Sequence, residues 1–401
     1  MAITTTVDLP FTLDRPSFNP APGTAAVAAI AAGALYLNVA VSGRQASLFL
    51  VGAAAGVALY HAAFGFTASW RTFITDRRGA GIRAQMVMLA LTCAVFFPLL
   101  AAGHAFGQTL RGSVSPVSVS VIAGAFLFGV GMQLGGGCAS GTLYSAGGGN
   151  TRMLATLAAF IAGSVIATAH MPWWTALPAA KPTSLITMFG AATGLVISLV
   201  AFALLAAVTV VLERRRYGSL RDDSTPRRSG WRRALQGPWP LVAGGAALAL
   251  VNIATLAISG RPWGVTGAFA LWGAKIAMAL GIDVAHWPYW AVPAQAAALK
   301  ASVLTDVTSV MDAGIMLGAL GAAAAAGRFA PAWRIPAWSL AAAILGGLML
   351  GYGARIAYGC NIGAYFSGIA SGSLHGWLWL PSAFVGNVAG TKLRPIFGLR
   401  T

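Results

Sequence analysis

The chain has 401 residues, of which 57% are hydrophobic and only 9% charged, with a formal net charge of +17 and a mean hydropathy of +0.74. Soluble domains carry about 25% charged residues, so the composition excludes a water-soluble fold and points to an all-α polytopic membrane protein whose first partner is the lipid bilayer. The positive charge lies between apolar stretches rather than in a separate basic domain, which argues against nucleic-acid binding.

Residues 1–20 hold Asp8 and Asp14 and lack the basic start of a signal peptide, so an N-terminal cytoplasmic segment is expected there. Ten membrane segments are expected next, at 21–42, 47–75, 84–103, 117–149, 152–170, 184–213, 238–281, 300–327, 336–371 and 375–391. Basic residues cluster at Arg71, Arg77, Arg78 and Arg83. They recur at Arg214, Arg215, Arg216, Arg221, Arg227, Arg228, Arg232 and Arg233, then at Arg328 and Arg334, and in the tail at Lys392, Arg394 and Arg400. The positive-inside rule assigns all of these, and both termini, to the cytoplasmic side. The connections Met171-Pro-Trp-Trp-Thr and His286-Trp-Pro-Tyr-Trp are aromatic and nearly free of charge, as an outer interface would be. Arg44 is the basic residue that fits this scheme poorly. The Arg-rich stretch 213–236, with Asp222 and Asp223, is expected to link a first membrane repeat (21–212) to a second (237–401), together one transport domain of five plus five segments.

Two repeats support that division. Gly129, Gly131, Gly137, Cys138, Gly141 and Ser145 match Gly351, Gly353, Gly359, Cys360, Gly363 and Ser367 at a constant offset of 222, with Gln133 falling where Arg355 sits. Phe64-Gly-Phe-Thr-Ala-Ser-Trp70 resembles Trp263-Gly-Val-Thr-Gly-Ala-Phe269. An odd number of segments turns the second copy upside down. Inverted repeats of broken helices meeting near the midplane mark transporters.

Each G-C-x-x-G motif interrupts a segment that is too long for one span. Glycine-rich backbone is tolerated at membrane depth only where it is buried in protein or lines a wet cavity. A break at Gly135-Gly-Gly-Cys138 would start a half-helix near Ala139, whose free N–H groups and positive dipole end attract an anion. The Gly359-Cys360 break would do the same from the other side. Thiols are soft, polarizable and weakly donating, which suits a substrate whose own sulfur must be contacted. The candidate substrate-binding residues are Cys138, Cys360, Gly137, Gly141, Gly359, Gly363, Ser140, Asn361, Ser145, Ser367, Arg355 and Gln133, with Thr67, Thr266 and His61 farther along the path. Neither a metal-ligand spacing nor a cofactor motif is present.

These paired cysteine motifs, the ending Gly390-Thr-Lys-Leu-Arg-Pro-Ile-Phe-Gly and the ten-segment layout resemble the YeeE/YedE family of sulfur-transport membrane proteins over essentially the whole chain. The resemblance implies uptake of thiosulfate, or a related sulfur anion, across a bacterial inner membrane. It also implies that cysteine thiols along the path hydrogen-bond the ion in turn, and that a small cytoplasmic sulfur-carrier protein receives it. A further cysteine of family members has no counterpart around Gly65-Phe-Thr67.

Plainer roles stand beside these. Cys93 has no repeat partner and reads as core. Gly129 and Gly131 suit close helix packing as well as site building. Asp312 is expected to pair structurally with a Lys or Arg, and the tryptophans to be interfacial anchors. The rival to a transporter is a membrane thiol enzyme that takes up sulfur covalently or passes electrons between Cys138 and Cys360. A carrier of another sulfur or selenium compound is the alternative within the first class.

Overall fold

Helices dominate the computed structural model, which describes residues 18–220 and 230–400. Asp8, Asp14, Arg221, Asp222, Asp223, Arg227 and Arg228 lie outside the described residues. In chain order the helices are α1 (Pro20–Ala40), α2 (Gly43–Ala62), α3 (Phe66–Asp76), α4 (Ala80–Ala102), α5 (Val119–Gly135), α6 (Ala139–Gly147), α7 (Thr151–Ala176), α8 (Leu185–Tyr217) and α9 (Trp231–Gln236). They continue with α10 (Leu241–Ser259), α11 (Thr266–Ala279), α12 (Pro288–Ala291), α13 (Pro293–Lys300), α14 (Val307–Ala325) and α15 (Ala337–Ile356). A π-helical turn (Asn361–Phe366), α16 (Ser367–Ala370) and α17 (Leu374–Leu393) complete the chain. The described strands are two-residue pairs, β1 (His104–Ala105) with β2 (Gln108–Thr109), and β3 (Val117–Ser118) with β4 (Ala179–Ala180).

Among the described residues, 9 helical units are long and apolar enough to cross a membrane, so the protein is an all-α polytopic membrane protein. The expected segment 375–391 corresponds to α17, which has the length but carries His375, Asn387, Thr391 and Lys392. It packs against α5. Counted in order, α1, α2–α3, α4, α5–α6, α7 and α8 all precede the Arg-rich stretch. Six helical units therefore precede residues 213–236.

Glycines allow the spans to pack backbone to backbone, since in lipid there is little hydrophobic drive between helices and close contact supplies the attraction. Gly52 and Gly56 of α2 lie against the Met311 and Ile315 carbonyls of α14, while Gly314 and Gly318 of α14 lie against Phe49 and Ala53 of α2. Gly163 and Gly351 make the same seam between α7 and α15, and Gly129 and Gly386 between α5 and α17. Each seam joins a helix from the first part of the chain to one from the second. The two parts are interleaved, and the core lies between them.

The two ends of the bundle differ in charge. At one end Glu213, fully buried, bridges Arg78 (3.2 Å) and Arg83 (2.9 Å) and accepts from the Gly79 N–H (3.0 Å). Arg152, Arg328 and Arg334 line a cavity of ≈ 420 Å³ at this same end. The opposite end holds β3–β4, the Ser184–Ser373 bridge and the 281–306 connection. It is less bare of charge than expected: Arg44 donates to the Ser259 carbonyl and Arg261 pairs with Asp306 at 3.6 Å. Arg44 is thereby held by a helix C-terminus, where a cation is favoured. Trp70, Trp263 and Trp379 are fully buried in the core rather than at an interface.

Candidate functional site

The chain turns inward twice, and a cysteine stands at each turn. α5 ends at Gly135, Gly136 takes a left-handed φ of 90°, and Cys138 becomes the N-cap of α6. α15 ends at Ile356, Gly359 takes φ 148°, and Cys360 becomes the N-cap of the π-helical turn. Both cysteines are extended, with φ −83° and ψ −169° at Cys138 and φ −104° and ψ −165° at Cys360. Each sulfur accepts a backbone N–H of the helix it starts, from Gly141 at 3.4 Å and from Ile362 at 3.4 Å. Ser140 Oγ lies 3.5 Å from the Cys138 sulfur. α6 runs back toward the arginine-rich end, where Gly149 meets Phe329. The Cys360 turn and α16 run to the opposite end, where Ser371 Oγ accepts from Ser113 N at 2.9 Å. The two short helices start in the interior, leave in opposite directions and touch one another. All three cysteines are free and buried.

A second pair of contacts repeats the symmetry. Gln133 Nε2 donates to the Thr67 carbonyl at 3.2 Å, and Arg355 Nη2 donates to the Thr266 carbonyl at 2.9 Å. Thr67 and Thr266 lie in the first turns of α3 and α11, so each break is anchored by the side chain at the matching position of the other motif. That engagement limits what these side chains can do. Gln133 also donates to Asn387 Oδ1 at 2.7 Å and accepts from Arg71 at 3.4 Å, so both its amide N–H groups are taken and its oxygen is partnered. Arg355 gives Nη1 to the Tyr289 hydroxyl at 2.9 Å and keeps only Nε without a partner.

The glycines divide by role. A Cβ at Gly137 would come within 3.2 Å of the Gly141 and Thr142 backbone, and one at Gly359 within 2.7 Å of the Ala364 nitrogen. Both make the turns possible. At Gly141 a Cβ would meet only the Cys138 sulfur, and at Gly363 nothing within 4 Å. Gly363 therefore borders open space, and Gly141 lets the Cys138 sulfur sit close against its helix.

The remaining candidates separate in the same way. Asn361 is fully buried with neither side-chain atom partnered, and the Thr67 hydroxyl is likewise unpartnered. A buried, unpaired polar group costs about 1–3 kcal/mol, so these groups suit a ligand. Ser367 does not face open space: its hydroxyl donates to the Trp263 carbonyl at 2.7 Å and accepts from Asn252 at 3.1 Å, tying α16 to α10. Ser145, on the last turn of α6, is half-buried and accepts at its carbonyl from Asn150 N. His61 packs against Trp239 near Gly237 at the arginine-rich end, away from both cysteine turns. Cys93 is fully buried with its sulfur 3.9 Å from the Ile369 carbonyl.

Residue-level reading of the sequence passed over the buried Gln85 and read Asp312 as half of an ion pair. Each is the sixth residue of its helix, α4 and α14. Gln85 accepts from Trp70 Nε1 at 3.0 Å and from the Tyr365 hydroxyl at 3.4 Å. Asp312 has no Lys or Arg partner, contrary to expectation, and neither carboxyl oxygen is bonded among the described residues. The two stand at an offset of 227 (312 − 85), against 199 (266 − 67) for the threonines, with residues 280–306 intervening.

The arrangement can hold a small anion that carries sulfur: N–H-bearing helix starts, soft sulfur atoms, an unpaired amide and open space adjoin one another. Over residues 61–389 the chain matches the model of a family described as Sulphur transport. It is 32% identical over 164 residues to the probable transporter YedE of Escherichia coli K12, covering 40% of this chain and 39% of that protein. It is 34% identical over 145 residues to the probable transporter YedE of Salmonella typhimurium, covering 35% and 34%. The chain thus spans less than two fifths of the length of these two relatives. A thiosulfate transporter, TsuA of Spirochaeta thermophila, is 26% identical over 343 residues, 82% of this chain and 92% of that one.

Proposed function

Because the chain belongs to the Sulphur transport family, we propose that it carries a small sulfur-containing anion, thiosulfate, inward across a bacterial inner membrane, both of its termini lying in the cytoplasm. The observation that carries this reading is the pair of cysteine-capped helix starts approaching from opposite ends. Each would offer a thiol and first-turn N–H groups to the ion in turn. Cys138 and Cys360 contact the substrate sulfur, Ser140, Asn361 and Thr67 its oxygens, and Gly363 leaves it room. Gln133, Arg355 and Thr266 hold the turns in place. The name of the thiosulfate transporter from Spirochaeta thermophila supports the choice of substrate. Delivery to a small cytoplasmic sulfur-carrier protein is part of the proposal, and the arginine-lined cavity at the inner end gives an anion a place to leave from.

The test is uptake of labelled thiosulfate, sulfite, sulfate and selenium analogues by a strain that lacks its own carrier, with and without this protein. Thiosulfate-specific uptake is expected. Uptake of another compound alone would correct the substrate, and no uptake of any would remove the reading. Mass spectrometry of the purified protein addresses the covalent rival, since a persulfide or a Cys138–Cys360 disulfide formed during turnover would favour it.

A further inference from the structure

Asp312 is fully buried on α14, and neither of its carboxyl oxygens has a hydrogen-bond partner among the described residues. The other acids with described contacts are engaged. Asp306 accepts from Ser309 N and Oγ at 2.8 Å each and pairs with Arg261, Glu213 bridges two arginines, and Asp283 pairs with His286. A carboxylate buried without a counter-ion is strongly disfavoured, so the empty site keeps this group as the neutral acid, with one O–H to donate.

Its helix packs against α2 and against α6, the helix that Cys138 starts. Met311, one residue before, lies against Gly52 of α2, and Met316, one turn later on the same face, lies against Gly147 of α6. Asp306, the N-cap of α14, is the other acid on this helix. α2 faces α14 with Gly52, Ala53 and Gly56. α6 has Tyr144 as its titratable residue, and Lys275 of α11 is spent on the Leu299 and Ala301 carbonyls. Asp306, at the outer start of the same helix, is partly exposed. That acid stands between solvent and Asp312, six residues further along the helix.

We propose that Asp312 is the proton-carrying group of transport, so that each anion enters together with one proton; this rests on the reading under Proposed function. The carboxyl takes a proton from the outer side, donates its O–H to an oxygen of the bound anion, and, once the site opens to water on the inner side, releases the proton there as the anion leaves. It then takes the next proton from outside, so that no bond of the substrate changes. For a divalent anion one of the two negative charges is cancelled during the crossing.

The test uses the full-length protein in liposomes with labelled thiosulfate and an imposed gradient, alkaline inside, at zero membrane potential. One pH unit supports about a tenfold accumulation per coupled proton, and wild type is expected to approach that ratio, with a matching loss of external protons and full sensitivity to a protonophore. Asp312→Asn keeps a neutral group of the same shape. It is expected to exchange thiosulfate across preloaded liposomes but to show neither accumulation nor proton movement. Asp312→Glu, which keeps the carboxyl, is expected to stay coupled, and it decides the matter together with wild type if the Asn variant does not fold. Wild-type exchange that ignores the pH gradient, or an Asn variant that still accumulates with it, overturns the proton role alone. Wild-type liposomes that exchange no thiosulfate overturn both this inference and the reading it rests on.

Discussion

Replacing Cys138 or Cys360 by serine separates the two tasks that the structure gives each thiol. As an N-cap, the sulfur accepts one N–H at 3.4 Å, from Gly141 or from Ile362. Serine is among the best N-caps and alanine among the worst, with a difference of about 1 kcal/mol. Cys→Ser therefore retains the helix start, whereas Cys→Ala removes it. As a substrate contact, the serine hydroxyl is shorter and hard where the thiol was long and soft. Losing one contact of about 1–2 kcal/mol slows uptake by about 5- to 30-fold. The Ser variants should thus reach the membrane at wild-type level and transport poorly, while the Ala variants lose both level and transport. Cys93→Ala should transport normally, because its sulfur has only a distant backbone contact. The assay is initial uptake of labelled thiosulfate divided by the amount of protein in the membrane. Wild-type transport by the double variant Cys138→Ala, Cys360→Ala, at equal level, would refute the thiol site.

Gly363→Ala should fold normally, since its Cβ meets nothing within 4 Å, and should reduce uptake by placing a methyl in the open space. Gly359→Ala, at φ 148° and 2.7 Å from the Ala364 nitrogen, should cost about 1–3 kcal/mol and lower the membrane level. Equal behaviour of the two variants would contradict the division made above. Asn361→Leu removes an unpaired buried amide and should raise the thermal stability of detergent-purified protein by about 1–3 kcal/mol while weakening thiosulfate uptake; a fall in stability would show that the amide is satisfied. Glu213→Ala leaves Arg78 and Arg83 without their shared partner and should cost about 3–5 kcal/mol, read as a lower unfolding temperature at unchanged substrate preference. Single cysteines introduced near Tyr217 and near Ala285, in a background lacking the native ones, should label from opposite faces of the membrane. Labelling of both from one face would remove the inverted arrangement.

Composition and apolar run length were enough to establish a polytopic helical membrane protein, because a bilayer demands long apolar helices whatever the details of their packing. The duplicated G-C-x-x-G motif was legible for a similar reason: glycine and cysteine at fixed spacing are local requirements of a turn, visible without knowing what the turn faces. The sequence could not tell which polar side chains are spent on structure. Gln133, Arg355 and Ser367 look like ligands in the motif, yet each is bonded to backbone of another segment. Asn361 looks no different and is unpaired. Asp312 reads as half of an ion pair, yet both its oxygens are unpartnered among the described residues, and Trp70, Trp263 and Trp379 read as interfacial anchors, yet all three are buried. Those distinctions depend on which distant segments meet, and the interleaving of the two halves along glycine seams decides that. Local pattern specifies each turn, and only the packing of one half against the other determines what stands beside each thiol.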